Sequence, residues 1–105
     1  FTYVDDIVEG TLRVLDRPAQ GVPPYEIFNI GNHEPINLLD YIAELERSLG
    51  RTAIKELAPM QPGDVKATYA DTGRLRAATG FAPSTPLASG LARFAEWFKR
   101  YHGYV

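Results

Sequence analysis

Two β-prone runs each lead into an amphipathic helix, and this alternation limits the fold more than any other feature. The run FTYV at 1–4 precedes a helix whose predicted cap is Asp5 and whose predicted end is near Arg17. The run YEIFNIG at 25–31 precedes a second helix, with a predicted cap at Asn37 and a stop at Gly50. This order is typical of a parallel sheet with crossover helices.

The remaining chain predicts two short strands and two further helices. The strand candidates are 53–57 and 66–70; a brief helix follows from an Asp71 cap to Gly80, and Thr85 is the predicted cap of the last helix. We therefore expect an α/β fold, or α+β in isolation, with four helices and a few short strands. The 105 residues suit one domain, 1–105.

The predicted strands are too few to complete a doubly wound sheet. The first helix has an apolar face that includes Val8, Leu12 and Leu15, and the last has another that includes Leu91 and Phe98. Such faces need a partner surface, so self-association is expected. Because the first residues read as the middle of a strand without a starting methionine, we interpret the chain as a fragment of a longer protein.

Charge and composition argue against several classes of function. The formal net charge is −2, with Lys and Arg dispersed, which disfavours nucleic acid as a partner. No apolar stretch has bilayer length and no signal peptide is visible, so a membrane partner is not expected and the cytoplasm is the expected location. With no cysteine and two histidines, a metal site is also not expected.

The sequence lacks the motifs of a complete NAD-dependent enzyme. It contains no G-x-G-x-x-G or G-x-x-x-x-G-K-[ST] phosphate loop, and no tyrosine followed by a lysine four positions later. Asp5 and Asp6 are adjacent, so in a helix they point in different directions and cannot share one acid–base site. We expect no catalytic residue and no bound cofactor in this chain.

The stretch MQPGDV, which begins at Met60, is the candidate for ligand contact. Pro62 fixes one backbone angle and Gly63 permits a positive φ, so Gln61 to Asp64 is typical of a type II turn. A turn of this kind orients Asp64, whose carboxylate can accept hydrogen bonds from a ribose or sugar diol. An ordinary connecting turn is the alternative, and the residues alone leave it open.

Four stretches, taken in order, resemble a known family. They are FTYVDDIVEGTLRVLD (1–16), YEIFNIGNHEPINLLDYIAELERSLG (25–50), MQPGDVKATYAD (60–71) and TPLASGLARFAEWFKRY (85–101). Together they resemble the C-terminal portion of nucleotide-sugar epimerases and dehydratases of the extended short-chain dehydrogenase/reductase family. The UDP-glucuronate 4-epimerases are the most similar branch.

The resemblance implies a division of labour within a longer enzyme. In the family an N-terminal Rossmann domain holds NAD and carries the catalytic tyrosine and lysine, and that domain is missing from this chain. The C-terminal portion binds the UDP-sugar. The resemblance assigns Asp64 to the ribose, places Gln61 where some relatives have an arginine, and puts Tyr3 and Val4 near the pocket wall.

Three functions follow as expectations. The first is the substrate-binding portion of an NAD-dependent UDP-glucuronate 4-epimerase, inactive alone and with weak or absent UDP-sugar affinity. The second is a non-catalytic interaction or structural module that kept the fold. The third is the same portion of a nucleotide-sugar dehydratase or decarboxylase, because the residues that separate these reactions lie elsewhere.

Overall fold

The structure, a computed structural model, describes residues 1–104 and shows four helices. They are α1 (Val4–Leu15), α2 (Leu38–Leu49), α3 (Gly73–Thr79) and α4 (Leu87–His102). The chain divides into two compact units, of which the first contains Phe1–Pro35 and Tyr69–Thr85. The second contains Ile36–Thr68 and the chain from Pro86 onward. None of the four helices in residues 1–104 is long and apolar enough to cross a bilayer.

The four predicted helices are confirmed, but the predicted strands are absent from residues 1–104, so this part of the chain is helical and not clearly α/β. A strand requires a neighbouring backbone that completes its hydrogen bonds. At 25–31 side chains supply part of that bonding: the Arg74 guanidinium donates to the Ile27 carbonyl at 3.2 Å. Ile27 is also 69% exposed, whereas a strand inside a parallel sheet with crossover helices is buried on both faces.

The helix caps follow the sequence prediction in α2 and depart from it elsewhere. The Asn37 side chain accepts from the Leu39 N–H at 2.8 Å, and Gly50 is left-handed with φ +71°, which confirms both ends of α2. The cap of α1 is Tyr3 and not Asp5, and α1 ends at Leu15. The cap of α4 is Pro86 and not Thr85.

Helix α3 also begins one residue later than predicted. Its cap is Thr72, although the Asp71 carboxylate still accepts from the Gly73 N–H at 3.0 Å. The helix stops as predicted at Gly80, which is left-handed with φ +71°.

The core of the first unit forms where α1 meets α3. Leu75 of α3 is fully buried. Thr72, the cap of α3, and Pro83, which follows the helix, are also buried. Gly10 is the buried residue of α1, and a Cβ at this position would lie 2.9 Å from Cγ2 of Ile30. Helix α1 therefore lies close to the 25–31 stretch because residue 10 has no side chain.

The apolar face of α1, for which the sequence predicts a partner surface, is exposed in the structure. Val8, Leu12 and Leu15 are at least half exposed, whereas Ile7 and Val14 are partly buried on the side that contains Gly10. The periodicity correctly locates an apolar stripe on α1. A different side of the helix is buried, however, because Gly10 allows a close approach there.

Asp6 joins the first turn of α1 to a distant loop of the same unit. Its carboxylate accepts from the backbone N–H groups of Ser84 and Thr85, at 3.1 and 2.9 Å, and from the Thr85 hydroxyl at 2.8 Å. Thr85 is thus engaged by Asp6 rather than serving as the α4 cap. Charge-assisted bonds of this kind are roughly twice as strong as neutral ones.

In the second unit, α2 packs on α4. Leu91 and Ala95 are the buried apolar residues of α4, and the Lys99 ammonium donates to the Ser48 carbonyl at 3.3 Å. Aromatic side chains of α4 are exposed: Trp97 and Tyr101 stack at 5.2 Å between ring centroids on a largely solvent-facing side.

Substitution of Gly10 by valine tests the close approach in the first unit. We expect Gly10→Val to lower the free energy of unfolding by about 1–3 kcal/mol, because the new side chain must displace the branched side chain of Ile30. Thr11→Val introduces the same residue at the exposed neighbouring position of α1 and should change stability by less than about 0.5 kcal/mol. Urea unfolding followed by circular dichroism measures both, and equal effects would contradict the packing.

Candidate functional site

The predicted turn at Gln61–Asp64 is present. The Asp64 N–H donates to the Gln61 carbonyl at 3.2 Å, and Gly63 has φ +89°. A positive φ at the third residue, after a proline at the second, is the conformation expected for a type II turn. Glycine suits this position because most L side chains are strained at this angle.

The carboxylate of Asp64 is oriented toward the backbone of the next residue, Val65. One carboxylate oxygen, Oδ1, accepts from the Val65 N–H at 3.0 Å. This local bond limits the rotamers of a side chain that is otherwise exposed to solvent. Asp64 thus presents an oriented, accessible hydrogen-bond acceptor, which suits a hydroxyl-bearing ligand.

The turn lies within a long exposed segment without regular secondary structure. Every residue in 51–69 is exposed, and the segment includes apolar residues such as Ile54 and Leu57. Its beginning is held by Glu46 of α2, whose carboxylate accepts from the Ala53 N–H at 2.8 Å and pairs with the Lys55 ammonium.

The contacts of Glu46 favour its ionised form. The hydrogen bond from the Lys55 ammonium, and after it the hydrogen bond from Ala53, hold the pKa of Glu46 below its usual value. The carboxylate is therefore charged at neutral pH, and its attraction for Lys55 is maintained.

The other two predicted site residues lie in the first unit, whereas Gln61 and Asp64 lie in the second. Tyr3 is the partly buried N-cap of α1, and its carbonyl accepts from the Asp6 and Ile7 N–H groups. Val4 is the first residue of α1 and is 60% exposed. The structure thus brings Gln61 and Asp64 together through the turn, and the roles of Tyr3 and Val4 stay predictions.

Two carboxylates that organise loops were not identified as such from the sequence. The sequence shows Asp6 only as the neighbour of Asp5, the predicted cap of the first helix, and it assigns no role to Glu46. The partners of Asp6 lie 78 and 79 residues further along the chain, and those of Glu46 lie 7 and 9 residues further along. A lysine nine positions after a helical glutamate and just beyond a Gly stop was the available signal for Glu46.

Other candidate sites are weak. The first unit has a pocket of about 160 Å³ lined in part by Arg17, Glu26 and Thr79. Pockets for ligands of drug size are roughly 300–1,000 Å³, so this one is too small for a nucleotide sugar. Within 1–104, no group of three or more acidic, histidine or cysteine side chains could hold a metal ion.

Comparison with known proteins gives a consistent picture. No protein-family model matches the chain. The chain is 35% identical, over 93% of its length, to a probable UDP-glucuronate 4-epimerase of Rhizobium meliloti. It is 37% identical, over 99% of its length, to UDP-glucuronate 4-epimerase 1 of Arabidopsis thaliana. It covers 33% of the first relative and 27% of the second.

A solved structure shows the same arrangement of this portion. UDP-glucuronic acid 4-epimerase from Bacillus cereus, in complex with UDP-glucuronic acid and NAD, superimposes with a TM-score of 0.79 at 32% identity. The match covers 96% of this chain and 32% of that enzyme. The chain therefore spans about a third of the length of the proteins it matches.

The positive φ of Gly63 can be tested by substitution. We expect Gly63→Ala to disrupt the turn at a cost of about 1 kcal/mol, because alanine is strained at this angle. Gly63→Asn is the matched control, since asparagine is tolerated at the third position of a type II turn. The Asp64 amide shift and its temperature coefficient in NMR report the Gln61–Asp64 hydrogen bond, and its survival in Gly63→Ala would contradict the turn assignment.

Proposed function

The chain is a homologue of the C-terminal portion of the UDP-glucuronate 4-epimerases, and we propose that in a full-length enzyme it holds the nucleotide of a UDP-sugar. One observation carries the proposal: the Gln61–Asp64 turn presents an exposed, oriented carboxylate. The family resemblance assigns the ribose to this carboxylate. A carboxylate can accept hydrogen bonds from both hydroxyls of a ribose diol. These bonds are stronger than those that a neutral side chain of similar size would make.

Gln61 would contribute hydrogen bonds but no charge. Relatives with arginine at this position can neutralise a phosphate, whereas glutamine can only donate to a phosphate oxygen or accept from a sugar hydroxyl. Neutralisation of the diphosphate in our proposal is therefore left to residues outside this chain. Tyr3 and Val4 are assigned to the pocket wall on the resemblance alone.

The residues of this chain do not suit the binding of NAD. The sequence has no glycine-rich loop at a helix N-terminus, the feature that holds the pyrophosphate of a dinucleotide. We assign NAD and the hydride transfer it supplies to the Rossmann portion of the longer enzyme. The proposed role of this chain is to bind and orient the substrate, and we expect it to have no epimerase activity by itself.

The exposed face of α1 is consistent with an origin in a larger protein. Val4, Val8, Leu12 and Leu15 follow each other at helical spacing, and each is at least half exposed. Burying the exposed part of four such side chains, which is half or more of each, contributes roughly 1–2 kcal/mol each, so a covering surface is favoured. We propose that the remaining two-thirds of the enzyme covers it.

Self-association through the same stripe is the second candidate, and it would suit a non-catalytic module. A dehydratase or decarboxylase portion is the third. The similarity to UDP-glucuronate 4-epimerases over 93% to 99% of the chain favours the epimerase.

Removal of the Asp64 carboxylate tests the proposed ribose contact. In an NMR titration of the chain with UDP and UDP-glucuronate, we expect Asp64→Ala to weaken binding about 5- to 150-fold, the equivalent of about 1–3 kcal/mol for a lost hydrogen bond to a charged group. Glu56→Ala removes an exposed carboxylate from the same segment and should leave the affinity unchanged.

Two outcomes would contradict the proposal. One is equal weakening in the Asp64 and Glu56 variants, which would indicate a general charge effect. The other is equal UDP affinity of Asp64→Ala and the wild-type chain, measured at concentrations that shift the amides of 61–65 in the wild type.

A further inference from the structure

The path of the chain between α2 and the turn is not fixed by burial. Residues 51–60 connect Gly50 to Gln61, and all of them are exposed. Ile54 and Leu57 are 102% and 85% exposed, so their apolar side chains do not attach the stretch to the unit. The contacts that attach this stretch to α2 are hydrogen bonds and an ion pair, at Arg51, Ala53 and Lys55.

Glu46 makes these contacts through both its backbone and its side chain. Its carbonyl accepts from the N–H groups of Gly50 and Arg51, at 2.9 and 3.2 Å, and so closes the helix. Its carboxylate accepts from the Ala53 N–H at 2.8 Å and pairs with the Lys55 ammonium. One residue thus ends α2 and holds the next five residues of the chain against it.

This attachment shortens the free chain that leads to the turn. Without it, ten residues (51–60) separate the helix end from Gln61; with it, five (56–60) separate Lys55 from Gln61. For a flexible chain the root-mean-square end-to-end distance is about 5–6 Å times the square root of the number of residues. It is therefore roughly 18 Å for ten residues without the attachment and roughly 12 Å for five residues with it. Pro59 lies within the shorter stretch and stiffens it further.

We propose that Glu46 is a positioning residue for the Gln61–Asp64 turn, and that its hold on Ala53 and Lys55 places the turn for recognition of a UDP-sugar. The second part of this inference rests on the proposed function, whereas the first does not. Glu46 does not touch the ligand; it acts through the segment that carries Asp64.

Three variants in α2 separate positioning from folding. Glu46→Ala removes the carboxylate, keeps the backbone bonds that close the helix, and introduces the strongest helix former. Glu46→Gln keeps an acceptor for Ala53 but loses the attraction for Lys55. Glu44→Ala is the matched control, because Glu44 pairs with Arg47 inside α2 rather than with the segment.

Spin-label distances measure the position of the turn without any ligand. The chain has no cysteine, so Ala43→Cys in α2 and Met60→Cys before the turn, both exposed, can be labelled specifically. We expect Glu46→Ala to widen the distance distribution roughly 1.4-fold, the ratio of the two spans above. Glu46→Gln should give an intermediate width and Glu44→Ala the wild-type width, with unchanged helix content in circular dichroism.

UDP titration of the same variants measures the consequence for binding. When the same substitutions are made in a chimera that carries the rest of the pocket, a 1.4-fold wider spread in three dimensions lowers the effective concentration of the turn near the bound ligand, so UDP should bind roughly threefold more weakly to Glu46→Ala. A distribution as narrow in Glu46→Ala as in wild type would overturn the positioning role. Widening without a loss of UDP affinity would overturn its part in recognition, and equal UDP affinity of the wild type and Asp64→Ala would contradict the proposed function alone.

Discussion

The carboxylate of Glu46 connects the helical part of the second unit to a segment that has no regular secondary structure. It accepts from Ala53 and pairs with Lys55, and its ionised form is favoured by both partners. The segment beyond carries the Gln61–Asp64 turn, which bears the proposed nucleotide contact. The orientation of Asp64 therefore depends on local turn geometry, and its location depends on a charged pair at the helix end.

The first unit uses the same device. Asp6 in the first turn of α1 accepts three hydrogen bonds from Ser84 and Thr85, so a helical carboxylate again fixes an irregular stretch. Apolar burial can fix few of these irregular stretches. Within 1–104 the buried apolar side chains are Leu75 and Pro83 in the first unit and Leu91 and Ala95 in the second. Where apolar burial is small, charge-assisted bonds contribute a larger share of local order.

The sequence predicts local features well and pairing poorly. Asn37, Gly50 and Gly63 act over two or three residues through backbone angles and short bonds, and all three behave as predicted. The strand at 25–31 requires a neighbouring strand, and the described residues offer none. The stripe of α1 is correctly periodic, but which side is buried depends on Gly10 and its close contact with Ile30, a tertiary feature. The long-range bonds of Asp6 have no local signal at all.

The most direct test of the central claim joins this chain to the first two-thirds of the Bacillus cereus enzyme, with Phe1 following the aligned position. The chain alone should show no epimerisation of UDP-glucuronate when NAD is supplied, whereas the chimera should interconvert UDP-glucuronate and its 4-epimer. Turnover by the chain alone would contradict the account. So would a chimera that is folded and binds NAD but neither binds nor epimerises UDP-glucuronate.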